Sequence, residues 1–169
     1  AKPQSAQFIM KKMSGAALTE EEIYQIIKDI VENVLTEAEV AEFIVAIYSR
    51  GMSKKETYFL TSAMYKTGRV LKWKEPIIAD KHSIGGVAAN RTTPIIVSIC
   101  AAAGVIMPKT SSRAITSAAG TADVVETIAR VDFSAADLQK IVKRVGACLA
   151  WGGSLGLAPA DDKLIRVER

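Results

Sequence analysis

The chain has 169 residues, 49% hydrophobic and 24% charged, the mix of a soluble globular protein long enough for one full domain or two small ones. Its net charge of +4 comes from scattered basic residues largely matched by acids, which argues against a nucleic-acid partner and suits small phosphorylated ligands. One histidine and two separated cysteines give zinc no ligand set, and no apolar run forms a membrane span or a signal peptide. The expectation is a cytoplasmic protein without metal or cofactor, with Cys100 and Cys148 as buried, reduced thiols. The chain starts without methionine and stops abruptly on Arg-Val-Glu-Arg, which suggests a piece of something longer.

Residues 1–68 read as helices joined by short loops. Phe8, Ile9 and Met13 form a weak apolar stripe that ends at Ser14-Gly15. The next three helices open on the same signal, a hydroxyl followed three residues later by glutamate: Thr19 with Glu22, Thr36 with Glu39, Ser53 with Glu56. That spacing is a capping box, in which each side chain satisfies an orphan amide of the other. Apolar residues keep one helical face in each segment: Ile23, Ile26, Ile27, Ile30, Val31 and Val34, then Val40, Phe43, Ile44, Ile47 and Tyr48, then Leu60 and Met64. The intervening sequences do not match, so these are short antiparallel helices and not an internal repeat.

Residues 69–75 read as a linker, after which the pattern alternates between apolar runs, polar glycine or serine loops, and helices. The apolar runs 77–79, 105–107 and 147–151 have strand length. Helices are expected over about 94–103, from a cap at Thr121 to about 129, and from Ser134 to Gly146, where Leu138, Ile141, Val142 and Val145 share a face. Such alternation implies a parallel sheet whose strand-end loops share one edge, where ligands bind. The expected architecture is therefore α/β with a separate all-helical domain. A helical bundle (1–68) precedes a partial, mostly parallel α/β phosphate-binding domain (76–158), and residues 159–169 return towards the bundle.

Two loops carry the chemistry. The first holds Lys81, His82, Ser83 and Thr92 around Gly85-Gly86, and the second holds Lys109, Ser111, Ser112, Arg113, Thr116, Ser117 and Thr121. Two lysines, one arginine and many hydroxyls with few acids nearby suit an oxyanion: lysine as a point charge, arginine as a fork, hydroxyls and amides on the remaining lone pairs. Each residue also has a plain structural role open to it. Lys81 could pair with Asp80, and a lone histidine is more often a hydrogen-bonded structural residue. A triad from Ser83, His82 and Asp80 is geometrically unfavourable, because neighbours on an extended chain point to opposite sides. Asp161-Asp162 reads as a solvated or capping pair in preference to a cation site, and Trp151 as core.

Three strings, Asp80-Lys-His-Ser-Ile-Gly-Gly86, Thr110-Ser-Ser-Arg-Ala-Ile-Thr-Ser-Ala-Ala-Gly-Thr121 and Leu157-Ala-Pro-Ala-Asp161, resemble the thymidine/pyrimidine nucleoside phosphorylase family. Ile84 and the Ser-Ser-Arg-Ala-Ile-Thr-Ser run resemble its archaeal AMP phosphorylase branch more than its thymidine branch. The resemblance implies cleavage of an N-glycosidic bond by inorganic phosphate as co-substrate, in this branch on nucleoside 5′-monophosphates with release of ribose 1,5-bisphosphate. By motif position it implies that Lys81, Ser83, Thr92, Ser111 and Thr121 bind phosphate. It likewise implies that His82, Gly86, Ser112, Arg113, Ala114, Ile115, Thr116, Ser117 and Thr121 contact the nucleotide. Arg169 falls near a base-site arginine of the thymidine branch.

The family's proton donor matches no residue of this chain and lies beyond Arg169, so no catalytic residue is assigned and the chain is expected to be a catalytically incomplete piece. Family members dimerise through the helical domain, which the apolar helices of 20–66 allow. Where the branch has Pro-Gly after Gly-Gly-Val, this chain has Ala88-Ala89. The other readings are a pyrimidine nucleoside phosphorylase and a phosphate- or nucleotide-binding module without turnover.

Overall fold

The structure is a computed structural model and describes residues 3–82, 91–114 and 119–168. In chain order its elements are α1 (Gln4–Met13), α2 (Glu20–Val31), α3 (Glu37–Arg50), α4 (Lys54–Thr67), α5 (Thr92–Ala102), β1 (Met107–Ser111), α6 (Thr121–Glu126), α7 (Ala135–Val145), β2 (Ala147–Trp151), α8 (Gly152–Leu155) and α9 (Pro159–Glu168). They fall into two compact units, residues 1–70 with 157–169, and residues 71–156.

The first unit is a bundle of α1 to α4 and α9. All three capping boxes form as the spacing predicts. The Thr19, Thr36 and Ser53 hydroxyls accept from the amides of Glu22, Glu39 and Glu56, whose carboxylates accept from the cap amides at 2.9 Å in each case. Ile23, Ile26, Ile27 and Ile30 on α2 are fully or almost fully buried, packed with Ile9, Leu18, Leu35, Val40 and Phe43. Each such side chain contributes roughly 1.5–3 kcal/mol of burial. Tyr48 and Val34, expected on apolar faces, are exposed. α9 is tied to α2 by Lys163, whose ammonium donates to the Ile30 and Val31 carbonyls and to Asn33 Oδ1 at 3.0, 2.7 and 2.6 Å. Those carbonyls are among the last four of α2, which have no i+4 amide of the helix to accept from.

The second unit is built on two parallel strands, β1 and β2, with Met107 opposite Ala147 and Ser111 opposite Trp151. The sheet is parallel, as the alternation predicts, but its strands differ from the apolar runs. β1 is Met107–Ser111 and not 105–107, because the ladder offered by β2 sets it and not local apolarity. Polar Lys109 is accommodated by burying its aliphatic stem while its ammonium reaches Asp80. Residues 77–79 form no strand; the Ala79 amide donates a single backbone bond to Ile106, at 2.9 Å, beside the start of β1.

α5 begins at Thr92, two residues before the expected start, with Pro94 in the first turn, where its missing N–H is not needed. α6 is capped by Gly120, not Thr121, and ends at Glu126, short of 129. Thr121 is instead its first helical residue, with a buried side chain. α7 opens on a Ser134 cap and ends at Gly146 in the left-handed region (φ 84°), as expected, although Val145 is exposed and outside the packed face. No helix among the described residues is long and apolar enough to cross a membrane.

Candidate functional site

In a parallel pair the carboxyl ends of the strands share an edge, and here that edge gathers Ser111 of β1 and the following Ser112 and Arg113 with Trp151 of β2 and the following Gly152 and Gly153 of α8. A Cβ on Gly152 would lie 3.8 Å from the Ser111 carbonyl oxygen, so the two strand ends are in close approach. The start of α6 reaches the same place. A Cβ on Gly120 would sit 2.6 Å from both the Arg113 carbonyl carbon and the Ser112 carbonyl oxygen, backbone atoms that cannot give way. Thr121 is thereby held beside the residues that follow β1.

Asp80 and Lys81 lie along β1. The Lys109 ammonium pairs with Asp80 Oδ1 at 3.2 Å, and that oxygen also accepts from the Lys81 amide at 2.7 Å. Lys109 thus takes the carboxylate that sequence offered to Lys81. Lys81 donates from Nζ to Thr93 Oγ1 at 2.9 Å. Thr93 is only 2% exposed, whereas Thr92, the residue the motif assigns to phosphate, is exposed. His82 is exposed. Ser83, Gly86, Ala88-Ala89, Ile115, Thr116, Ser117 and Arg169 lie outside the described residues. Among those described, Lys81 meets Thr93 and Lys109 meets Asp80, while Ser112 to Ala114 meet the start of α6.

Arg113 is held by two carboxylates and an aromatic ring. Its two terminal nitrogens donate to both Glu126 oxygens at 2.6 and 2.8 Å and to Asp123 Oδ1 at 3.0 Å. Its guanidinium carbon lies 4.7 Å from the centre of the Trp151 ring, a cation–π stack. A Cβ on Gly153 would fall 2.6 Å from a carbon of that ring, so glycine leaves the ring its space. The bonds to Glu126 and then Asp123 raise the Arg113 pKa further. Arg113 in turn lowers Glu126, and backbone bonds from Gly120 and Ala114 lower Asp123 against the opposing effect of burial.

Sequence reasoning read Trp151 as core and gave Asp123 and Glu126 no place in the site, and so missed that all three converge on Arg113. The available signal was Asp123 three residues after Gly120, the spacing at which a carboxylate reaches back to a cap amide. Thr93 was missed because adjacent threonines cannot be told apart before the helix phase is known. Asp161 and Asp162 are exposed in the first turn of α9, and no group of three acidic, histidine or cysteine side chains among the described residues could hold a metal ion. Cys100 is half-buried and Cys148 buried, both free, with burial raising the Cys148 thiol.

Comparison with known proteins adds to this geometry. A Methanococcus aeolicus protein named AMP phosphorylase is 51% identical over 168 residues, covering 99% of this chain and 33% of that protein. One of the same name from Natronomonas pharaonis is 46% identical over 167 residues, again 99% and 33%. A Ralstonia nicotianae protein provisionally named thymidine phosphorylase is 51% identical over 166 residues, 98% of this chain and 33% of its own length. The chain therefore spans about a third of the curated relatives it matches. Among solved structures, anthranilate phosphoribosyltransferase (TrpD) from Thermus thermophilus superposes with a TM-score of 0.76 at 22% identity, over 95% of this chain and 49% of that one, which is a likeness of fold. Residues 6–68 match the helical bundle domain and residues 75–165 the a/b domain of a glycosyl transferase family. With the bundle, the parallel strands and both domain matches in colinear order, the chain belongs to that glycosyl transferase family.

Proposed function

We propose that the chain carries the phosphate- and nucleotide-binding parts of a cytoplasmic pentosyltransferase that phosphorolyses nucleoside 5′-monophosphates. Phosphate oxygen forms a bond to the sugar's anomeric carbon, the glycosidic C–N bond breaks with its electron pair leaving on the base, and the base takes up a proton. AMP and phosphate give adenine and ribose 1,5-bisphosphate. Attack on an oxocarbenium-like carbon calls for a positioned nucleophile and stabilised charge more than for covalent help from the protein.

The observation that carries this reading is the likeness along 99% of the chain to relatives named AMP phosphorylase. The cations and hydroxyls support it: Lys81, Ser83, Thr92, Ser111 and Thr121 are assigned to phosphate. His82, Gly86, the residues 112–117 and Thr121 are assigned to the nucleotide. Inorganic phosphate is the co-substrate, and a homo-oligomer forms through the helical unit. No residue of this chain is assigned as proton donor to the leaving base.

A second reading, a pyrimidine nucleoside phosphorylase, is favoured by the Ralstonia relative, whose identity equals that of the Methanococcus protein. Ile84 and the Ser-Ser-Arg-Ala-Ile-Thr-Ser run weigh against it. Thermal unfolding in the presence of phosphate, AMP or thymidine separates the two. Stabilisation by phosphate and AMP but not thymidine is expected. Stabilisation by phosphate and thymidine but not AMP would move the assignment to the second reading, and none by phosphate would overturn both. AMP turnover by these 169 residues alone would overturn the absence of a proton donor.

A further inference from the structure

Asp123 does more than cap a helix. One of its oxygens, Oδ2, accepts from the Ala114 amide at 2.7 Å and from the Gly120 amide at 2.8 Å, while the other, Oδ1, accepts from Arg113 at 3.0 Å. A single carboxylate thus joins the chain where it leaves β1 to the chain where it enters α6. Glu126, one turn further along α6, holds the Arg113 fork through two bonds, and Trp151 backs the fork from β2. Gly120 is pressed against the Ser112 and Arg113 backbone. The phosphate-assigned neighbours are secured differently: Ser111 by the β1–β2 ladder and Thr121 by burial in α6.

We propose that Asp123 is a positioning residue for nucleotide recognition, a clasp that sets Ser112, Arg113 and Ala114 against the start of α6 without touching the ligand. This rests on the function proposed above, and it goes beyond it by naming a residue outside the motif-matched set. Arg113 shares in the clasp. Its charge is more than balanced by Asp123 and Glu126, and among the described residues three of its five N–H donors are used, which leaves two as directional donors for a phosphate.

The clasp and its link to nucleotide are read separately, by hydrogen exchange at the Ala114 and Gly120 amides and by titration of the same chain with AMP and with inorganic phosphate. Asp123→Ala is expected to lose protection at both amides and to weaken AMP at least tenfold while changing phosphate less than threefold. Asp123→Asn keeps an oxygen able to accept both amides but turns its NH2 towards Arg113, which Glu126 still holds, so near-wild-type protection and an AMP affinity between those of wild type and Asp123→Ala are expected. If Asp123→Ala does not fold, Asp123→Ser, whose hydroxyl is too short to span both amides, takes its place with the same expectations.

Retained protection at both amides, or AMP affinity within twofold, in the Ala or Ser variant would overturn the clasp. Equal losses for AMP and phosphate, or an Asn variant as damaged as Ala, would show a general folding role and overturn positioning. If the wild-type chain binds neither ligand, the proposed function fails and the nucleotide link with it, while amide exchange still decides whether the clasp exists.

Discussion

Glu56 is 3% exposed and occupies a position where an unpaired carboxylate would be costly. Oε1 accepts from the Lys12 ammonium at 2.7 Å and the Leu18 amide at 3.0 Å, and Oε2 accepts from the Ser53 amide at 2.9 Å. Burial alone would push the carboxyl up, but Lys12 and the backbone donors hold it down at about 2 against an ordinary 4.5. A depressed carboxyl pKa contributes stability that is fully present above the unfolded value and lost as pH falls towards the folded one. Unfolding of the helical unit is therefore expected to become easier between about pH 4.5 and 2. Glu56→Gln strands Lys12, so a loss of about 3 kcal/mol in urea denaturation at pH 7 is expected. The variant should also flatten the acid limb, and an unchanged acid limb would show that another group governs it. Arg113 belongs to the same scale. Arg113→Ala is expected to weaken AMP binding more than adenosine binding, and equal losses would count against a contact with the 5′-phosphate.

At the scale of elements, the helices of the bundle were legible because their signals are local. A hydroxyl, a glutamate three residues on and an apolar stripe all lie within one helix, so Thr19, Thr36 and Ser53 capped where spacing said they would. The strand β1 was not legible, since Lys109, Thr110 and Ser111 are strand residues only through pairing with Leu149, Ala150 and Trp151, some forty residues away. Gly120 shows the same limit. Its φ of −82° suits any residue, so its need for glycine comes from the neighbouring backbone, not from its own conformation. Gly120→Ala should consequently cost roughly 1–3 kcal/mol through overpacking. Calorimetry of the variant alone and with AMP would check this, and a loss below 0.5 kcal/mol would mean that the Ser112–Arg113 backbone can yield.

At the scale of the whole molecule, a ligand bound by the folded state alone stabilises by about 2.7 kcal/mol at a hundred times its Kd. That shift is large enough for phosphate and AMP to be told from thymidine by melting temperature. The candidate site was half legible. Which residue types form it could be read from the chain, because lysines, an arginine and hydroxyls cluster in two glycine-bearing loops. How they are used could not. Lys109, not Lys81, holds Asp80 through its side chain, Lys81 meets buried Thr93, and Arg113 is claimed by Asp123, Glu126 and Trp151. By itself the sequence determined the helical bundle, the α/β class and the family, since caps, periodicity and motifs are short-range patterns along the chain. Only the tertiary structure decided the strand limits, the pairing of each charge and the Asp123 clasp. A charge selects its partner by distance in space, and that distance exists only once β1, α6 and β2 have packed.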